Sequence, residues 1–272
     1  MSEKRKPLIK EYLMKKGVVV LASLALVLAF CVPAVAQPSP KSVETIVIDN
    51  FDNEDKMDWT WKVQASRSAT LDTKTNVQYP ILQYFDGIPN SLRPIHKEGD
   101  PIKVLGVKVK FDRKGDNWLE IFPEYKDRKD KNGAPVREIP FVGTVSQIDF
   151  WAWGAGYLYY IEVLVRDAEG RVHALDGGNL AFNGWKDIIV HVPTWFPQRS
   201  SLRSGAESMS LVGFRIRSDS RESVDDYVIY LDQIKYVSNT LDNIYDGYEL
   251  KNADFGDDKT NSTSSGSSTT EK

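Results

Sequence analysis

Three aspartates are the strongest candidates for metal chemistry in this sequence of 272 residues. Asp49 and Asp52 lie beside the first stretch that is predicted as a strand, and Asp232 lies in the last. Calcium takes several oxygen ligands, and clustered carboxylates supply them. We therefore consider a structural calcium ion bound by these residues, with surface or turn-capping roles as the alternative, and expect no other cofactor.

Two pairs of tryptophans are spaced to share a surface. Trp59 and Trp61, like Trp151 and Trp153, are two residues apart, and residues at this spacing point to one face of a β-strand. Indole rings bury much apolar area in a core, whereas on a surface they form a platform that stacks on a sugar or a neighbouring subunit. Both alternatives stay open, and Trp185 is a further candidate for a contact surface.

Four arginines are expected at exposed strand positions, namely Arg166, Arg171, Arg215 and Arg217. Such charges usually form a solvated face that discourages pairing between sheet edges. In an assembly they could instead contact acidic neighbours. They therefore join the tryptophans as candidates for an interface.

The sequence does not predict an enzyme. Asp225 and Asp226 are adjacent, and adjacent residues of a strand point to opposite faces, so they would not converge as acid and base. The three histidines are dispersed and lack the spacing of zinc ligands. The sequence also contains no serine nucleophile elbow and no phosphate-binding glycine loop.

β-Strands must position these side chains, and the hydrophobic pattern predicts strands throughout the chain. Apolar and polar residues alternate over 105–111 and 212–217, as in strands with one buried face. Residues 157–166 are β-branched and aromatic on both faces, as in a central strand. Further strands are predicted at 187–192 and 227–237, turns at 166–171, 176–178 and 183–184, and an exposed loop at 125–137.

About ten short strands separated by turns predict an all-β fold, a single β-sandwich over residues 45–250. A jelly roll resembling carbohydrate-binding and galactose-binding-like domains is the version that we expect. Jelly rolls of the carbohydrate-binding type often place a structural calcium ion where Asp49, Asp52 and Asp232 lie in this sequence. The calcium hypothesis depends on this likeness.

The N-terminus, residues 1–36, is predicted to be a signal peptide. A basic segment precedes an apolar run, and Ala34-Val35-Ala36 fits a cleavage site. A retained membrane anchor and a lipoprotein acylated at Cys31 are the alternatives. Residues 37–44 are interpreted as a linker and the Ser/Thr-rich residues 251–272 as a disordered tail.

Cleavage would change the character of the chain. Residues 1–36 carry six basic and two acidic side chains, so their removal changes the formal net charge from −3 to −7. Cys31 is the only cysteine, so the remaining domain must be stable without a disulfide bond. An acidic chain without a basic stripe is a poor nucleic-acid binder, and no membrane contact is expected after cleavage.

Three segments carry a family resemblance. The first is Ile48-Asp49-Asn50-Phe51 with the tryptophans that follow it, the second is residues 150–193 with its Phe150-Trp151-Ala152-Trp153-Gly154 run, and the third is residues 225–235. In this order, and over residues 45–238, they resemble the spirochaete periplasmic flagellar filament outer-layer proteins, the class A sheath family.

The resemblance implies a structural role in the periplasm. Such a protein would coat the flagellin core of the periplasmic flagellum and influence filament shape, stiffness and motility. Its expected partners are the flagellin core filament, other sheath proteins and further copies of itself. The alternative is an exported carbohydrate-binding module that recognises a glycan, including one on flagellin.

Overall fold

The computed structural model describes residues 43–69, 71–72, 76–200 and 208–240. Two short 3-10 helices, Glu54–Lys56 and Arg93–Ile95, accompany fourteen strands in this part of the chain. The strands are β1 (Val43–Asp49), β2 (Trp59–Ala65), β3 (Leu71–Asp72), β4 (Val77–Gln78), β5 (Ile81–Asp86), β6 (Lys103–Val109), β7 (Trp118–Tyr125), β8 (Ile139–Pro140), β9 (Thr144–Ala155), β10 (Tyr159–Arg166), β11 (Val172–Asn179), β12 (Asn183–His191), β13 (Ser210–Ser218) and β14 (Tyr227–Asn239).

The strands form two six-stranded antiparallel sheets and a two-stranded ribbon of β3 and β4. Sheet one has the order β12-β9-β14-β6-β5, and β1 pairs with the C-terminal half of β14. Sheet two has the order β11-β10-β13-β7-β2, and β8 pairs with the start of β13. The predicted all-β sandwich is confirmed.

One hydrophobic core lies between the two sheets. Leu105 and Phe150 of sheet one and Ile161 and Phe214 of sheet two are fully buried. The rings of Phe150 and Phe214 meet edge to face across the core, with their centroids 4.8 Å apart. Each such side chain contributes about 1.5–3 kcal/mol by leaving water, so the inner faces hold the sheets together.

The predicted strand at 212–217 is present, but its buried face differs from the prediction. A bulge in the pairing of β13 with β10 makes Val212 an extra residue between Leu211 and Gly213. Leu211 and Phe214 are therefore both fully buried, whereas Val212 is only half-buried. The expectation that Val212 shares the buried face of Phe214 is wrong, because a bulge shifts the alternation by one residue.

Two glycine-containing turn predictions are also wrong in position. Asp176-Gly177-Gly178 lies within β11, where the pairing with β10 is irregular. Asn183-Gly184 begins β12, and the chain reverses direction just before it, at residues 180–182. Glycine marks bulges and close backbone approach as well as turns, so the same residues indicated the wrong feature.

The expectation that Asp225 and Asp226 cannot converge assumed that both lie in a strand. They do not. β14 begins one residue later, at Tyr227. Asp226 has a positive φ of 53°, and its Oδ1 lies 3.0 Å from Lys108 Nζ. This ion pair joins the turn to β6.

The predicted signal peptide and Ser/Thr-rich tail lie outside the described residues. β1 begins at Val43, so the last two residues of the predicted linker at 37–44 belong to the first strand. Within the part of the chain that the structure describes, no helix is long and apolar enough to cross a membrane.

Candidate binding surface

Asp49 is a buried carboxylate that fixes the chain where it leaves β1. Its Oδ2 accepts a hydrogen bond from Trp61 Nε1 at 2.8 Å, and its Oδ1 accepts one from the Phe51 backbone N–H at 2.7 Å. Burial raises the pKa of Asp49, and these two hydrogen bonds oppose the shift. Phe51 has a φ of 61°, and its ring packs 5.9 Å from that of Trp61.

Asp232 and Asp52 line a polar cleft of about 420 Å³ beside this carboxylate. Asp232 is 4% exposed, and its Oδ1 accepts a hydrogen bond from the Gln233 N–H at 2.7 Å. Burial raises the pKa of Asp232 to about 7, and the charges of Asp52 and Asp49 add to the shift. Asp52 Oδ1 accepts a hydrogen bond from the Lys103 N–H at 2.9 Å.

The three aspartates leave few carboxylate oxygens free to bind a calcium ion. Both oxygens of Asp49 accept hydrogen bonds, and so do both of Asp52, whose Oδ2 is 2.7 Å from Asn50 Nδ2. Among the described residues, no group of three or more His, Cys, Asp or Glu side chains could hold a metal ion. Calcium needs several converging oxygens, so this geometry does not favour it and the calcium site stays a prediction.

Trp151 and Trp153 lie on the outer face of sheet one. Phe150 and Ala152, which alternate with them along β9, are fully buried in the core. Successive side chains of a strand point to opposite faces, so both indoles point away from the core. Each is half-buried.

Four aromatic side chains cross this outer face from strand to strand. Trp185 pairs with Trp153, and Trp153 pairs with Tyr230. The Trp153 and Tyr230 ring centroids are 5.4 Å apart, and Phe85 lies 5.6 Å beyond Tyr230. Gly106 lies beneath the last two rings, where a Cβ atom would be 2.6 Å from Phe85 and 2.9 Å from Tyr230. Trp185, Trp153, Tyr230 and Phe85 are termed the aromatic row.

Polar side chains accompany the aromatic row. Trp151 pairs with Asp187 on one side and Asp232 on the other, and Asp149 lies two residues earlier on the same strand face. Trp151 Nε1, Asp149 Oδ1 and Asp187 Oδ1 are buried and have no hydrogen-bond partner in the described structure. Burial raises the pKa of Asp149, and the charge of Lys235, whose Nζ lies 3.8 Å from Asp149 Oδ2, together with the side chain of Gln147 opposes the shift. Each unpartnered buried atom costs about 1–3 kcal/mol, a cost that is recovered only if these side chains turn toward a polar partner.

The outer face of sheet two is different, because its charges pair with one another. Arg215 Nε donates a hydrogen bond to Glu120 Oε1 at 2.7 Å, and Arg217 Nη2 donates to both carboxylate oxygens of Asp116 at 3.1 Å. Glu162 Oε2 makes no hydrogen bond within the described chain, but it lies 3.8 Å from Arg215 Nη1. Arg215 and Arg217, which were predicted as interface residues, therefore pair with carboxylates of the same chain.

Arg166 and Arg171 are also paired. Arg166 Nε donates to Glu138 Oε2 at 2.7 Å. Arg171 lies in the turn between β10 and β11, so the expectation that it occupies a strand is wrong. Its Nε donates to Asp167 Oδ2 at 3.1 Å, and Asp167 also accepts hydrogen bonds from turn backbone N–H groups. Burial acts to raise the pKa of Asp167, but the hydrogen bonds from His173 and Arg171 lower it to about 2.

The two tryptophan pairs, which have the same spacing, occupy different environments. Trp61 is 3% exposed in the core, and Trp59 packs half-buried against it, edge to face with Tyr125 at 5.6 Å. Trp151 and Trp153 lie on the outer face, together with Trp185. Of the two alternatives for the tryptophan pairs, packing in or against the core therefore holds for Trp59 and Trp61, and a position on the outer surface holds for Trp151 and Trp153.

Sequence reasoning did not single out Tyr230, Phe85, Asp149 or Asp187 for this surface. One signal was present in β9, where Asp149 and the two tryptophans alternate with apolar residues that suit a core. The other three residues lie on β14, β5 and β12, and only the strand pairing brings them beside β9.

Comparison with known proteins identifies a family. The family model for the flagellar filament outer layer protein FlaA matches residues 47–244. Over 151 residues the chain is 26% identical to a flagellar filament outer layer-like protein of Brachyspira hyodysenteriae, covering 52% of this chain and 64% of that protein. It is 26% identical over 169 residues to the flagellar filament outer layer protein of Treponema pallidum, covering 50% and 48%. The chain thus spans about half to two thirds of the length of the curated relatives that it matches.

Solved structures that resemble the chain weakly include carbohydrate-binding modules and a bacteriophage tailspike domain. A family 11 module of a Clostridium thermocellum cellulase superposes with a TM-score of 0.39 and 12% identity, over 72% of this chain and 95% of the module. A likeness of this size carries no conclusion about the chain. The match of the family model over most of the sandwich is what decides the relationship: the chain belongs to the flagellar filament outer layer protein FlaA family.

Proposed function

We propose that this chain is a structural subunit of the periplasmic flagellar filament sheath. It coats the flagellin core, contacts other sheath proteins and copies of itself, and influences filament shape, stiffness and motility without catalysing a reaction. Support comes from the family match over residues 47–244 and from relatives that bear the name flagellar filament outer layer protein.

The contrast between the two outer faces supports one orientation on the filament. The face of sheet one carries the aromatic row and three buried polar atoms without partners in the described structure. The face of sheet two carries arginines that already pair with acidic side chains. Half-buried aromatic rings gain more from association than arginines that are already paired with carboxylates. Sheet one therefore faces the core filament.

A coat of many identical subunits needs only modest contacts. Once one subunit is bound, the next site on a lattice lies at high local concentration, so weak contacts add to a strong assembly. A mechanical role of this kind requires a shaped surface and no reactive group.

The test is a clean deletion of the gene followed by complementation. We expect the deletion to leave the flagellar core but to change filament thickness, curvature and swimming, as measured by electron cryomicroscopy and cell tracking. Trp153→Ala should restore these poorly. Trp195→Ala should restore them fully, because Trp195 is 72% exposed and lies outside β9, β12 and β14. Unchanged filaments and motility in the deletion strain would refute the proposal.

A further inference from the structure

We infer that the outer face of sheet one binds a neutral saccharide chain displayed on the core filament, with sugar rings against the aromatic row and hydroxyls on Trp151, Asp149 and Asp187. That the saccharide is displayed on the filament rests on the proposed function. The binding chemistry rests only on the residues of the face.

The aromatic row has the dimensions of an oligosaccharide platform. It runs from β12 to β5 across four inter-strand spacings of about 4.8 Å, or roughly 19 Å. Phe85 is 43% exposed, and Tyr230 and the two indoles are half-buried, so ring surface is accessible along its length. At one end, Gly106 forms part of the floor of a depression of about 120 Å³ beside Phe85 and Tyr230. Trp153 and Phe85 both lie edge to face with Tyr230, so the ring faces alternate in orientation along the row. Sugar rings present flat C–H faces that would pack on the aromatic faces that point outward.

The unpartnered polar atoms match the chemistry of sugar hydroxyls. Trp151 Nε1 is a donor only, whereas Asp149 Oδ1 and Asp187 Oδ1 are acceptors when ionised. All three atoms are buried, so a sugar hydroxyl reaches them only if these side chains turn outward as the saccharide binds. A hydroxyl group both donates and accepts, so neighbouring hydroxyls of one chain then satisfy them. An apolar protein surface would leave them buried without partners, at about 1–3 kcal/mol each.

The charge of the face selects against acidic sugars. Asp149, Asp187 and Asp232 surround Trp151, and Lys235 is the basic residue near Asp149. Lys108 lines the depression at the other end of the aromatic row, but its Nζ is already paired with Asp226 Oδ1 at 3.0 Å. A uronic acid or a sulfated sugar would place a further negative charge beside these carboxylates. Neutral sugars avoid this repulsion and still donate hydrogen bonds to the carboxylate oxygens.

The direct test is titration of the mature protein by calorimetry. The probes are neutral β-linked tetrasaccharides of glucose, galactose and N-acetylglucosamine, with an oligogalacturonate of equal length as the acidic probe. We expect at least one neutral probe to bind and the acidic one to bind at least tenfold more weakly. Trp153→Ala should weaken binding about tenfold through loss of a stacking ring. Trp151→Phe, which keeps a ring but removes the N–H, should weaken it about three- to tenfold.

Trp195→Ala is the matched control and should bind like the unmodified protein, with circular dichroism confirming that each variant is folded. Absence of binding to every neutral probe overturns the inference, and so does equal binding of the acidic probe or an undiminished affinity of both face variants. A loss in Trp195→Ala equal to that in Trp153→Ala also overturns it.

Cosedimentation with purified core filaments separates this inference from the proposed function. Mild periodate oxidation of the cores, which cleaves vicinal diols of sugars, should abolish cosedimentation. Undiminished cosedimentation after oxidation overturns the saccharide inference and leaves the sheath role intact. Failure to sediment with untreated cores overturns the proposed function and, with it, the filament as the source of the saccharide.

Discussion

The hydrogen bond between Trp61 and Asp49 should be a major stabilising contact of the sandwich. Trp61 Nε1 donates to Asp49 Oδ2 at 2.8 Å, and both residues are at least 95% buried. Trp61→Phe keeps an aromatic ring in the core but removes the donor. It leaves a buried carboxylate oxygen without this partner.

The expected cost follows from two contributions. A hydrogen bond to a charged group contributes about 1.5–3 kcal/mol, and the smaller ring leaves a cavity that adds about 1 kcal/mol. The free energy of unfolding should therefore fall by about 2.5–4 kcal/mol near neutral pH. The pKa of Asp49 is already raised by burial, and the lost donor raises it further. Because ionisation in the folded state then becomes more costly, the loss should be larger at pH 8 than at pH 5.

Trp59→Phe is the matched control, since Trp59 lies two residues away on the same strand. Its Nε1 is buried and makes no hydrogen bond of normal geometry in the described structure, although it lies near enough to Asp49 to help lower the pKa of that carboxyl. The same substitution therefore removes ring volume and at most this weaker contact. We expect a change within about 1 kcal/mol. Urea denaturation followed by far-UV circular dichroism measures both variants. Equal losses in the two variants, or a Trp61→Phe loss that does not depend on pH, would refute the reasoning.

Two further predictions concern Asp232 and Gly213. The folded-state pKa of Asp232 is about 7, against 3.8 for an ordinary aspartate, so the free energy of unfolding should fall as pH rises from about 4 to 7 and Asp232 ionises in the folded protein. This fall amounts to at most about 4 kcal/mol. Asp232→Asn should abolish it, and the profile of urea midpoints against pH should become flatter. Gly213 has a φ of 148°, and a Cβ atom there would clash with the Ile121 carbonyl oxygen. Gly213→Ala should therefore lower the free energy of unfolding by more than about 2 kcal/mol, whereas Gly170→Ala, with a φ of 89° but open space, should cost about 1 kcal/mol in the same denaturation assay. Equal costs for the two glycines would contradict the clash.

The strands could be predicted because alternation of apolar and polar residues follows directly from strand geometry. The strand predicted at 105–111 is present as β6, where Leu105, Val107 and Val109 alternate into the core, and the strand predicted at 227–237 lies within β14. In β14 the alternation shifts between Asp232 and Lys235, where Gln233 has a positive φ. The prediction failed where the backbone is irregular. The bulge at Val212 and the irregular pairing at residues 176–178 depend on neighbouring strands that are distant in sequence.

The candidate surface could be predicted only in part. The spacing of Trp151 and Trp153 established that they share a face, but it did not establish which face is buried. Trp59 and Trp61 have the same spacing and pack in or against the core. The difference arises because Phe150 and Ala152 occupy the core side of β9, while the residues between and after the first pair are more polar.

By itself, the sequence determined the all-β character, the positions of most strands and the family, because these depend on local periodicity and on residue runs that stay contiguous. Only the tertiary structure decided that Trp185, Trp153, Tyr230 and Phe85 meet on one surface. These residues come from four strands, and strand order and register arise from the packing of two whole sheets against each other. Arg215 was likewise placed by register, directly opposite Glu120, to which it donates a hydrogen bond.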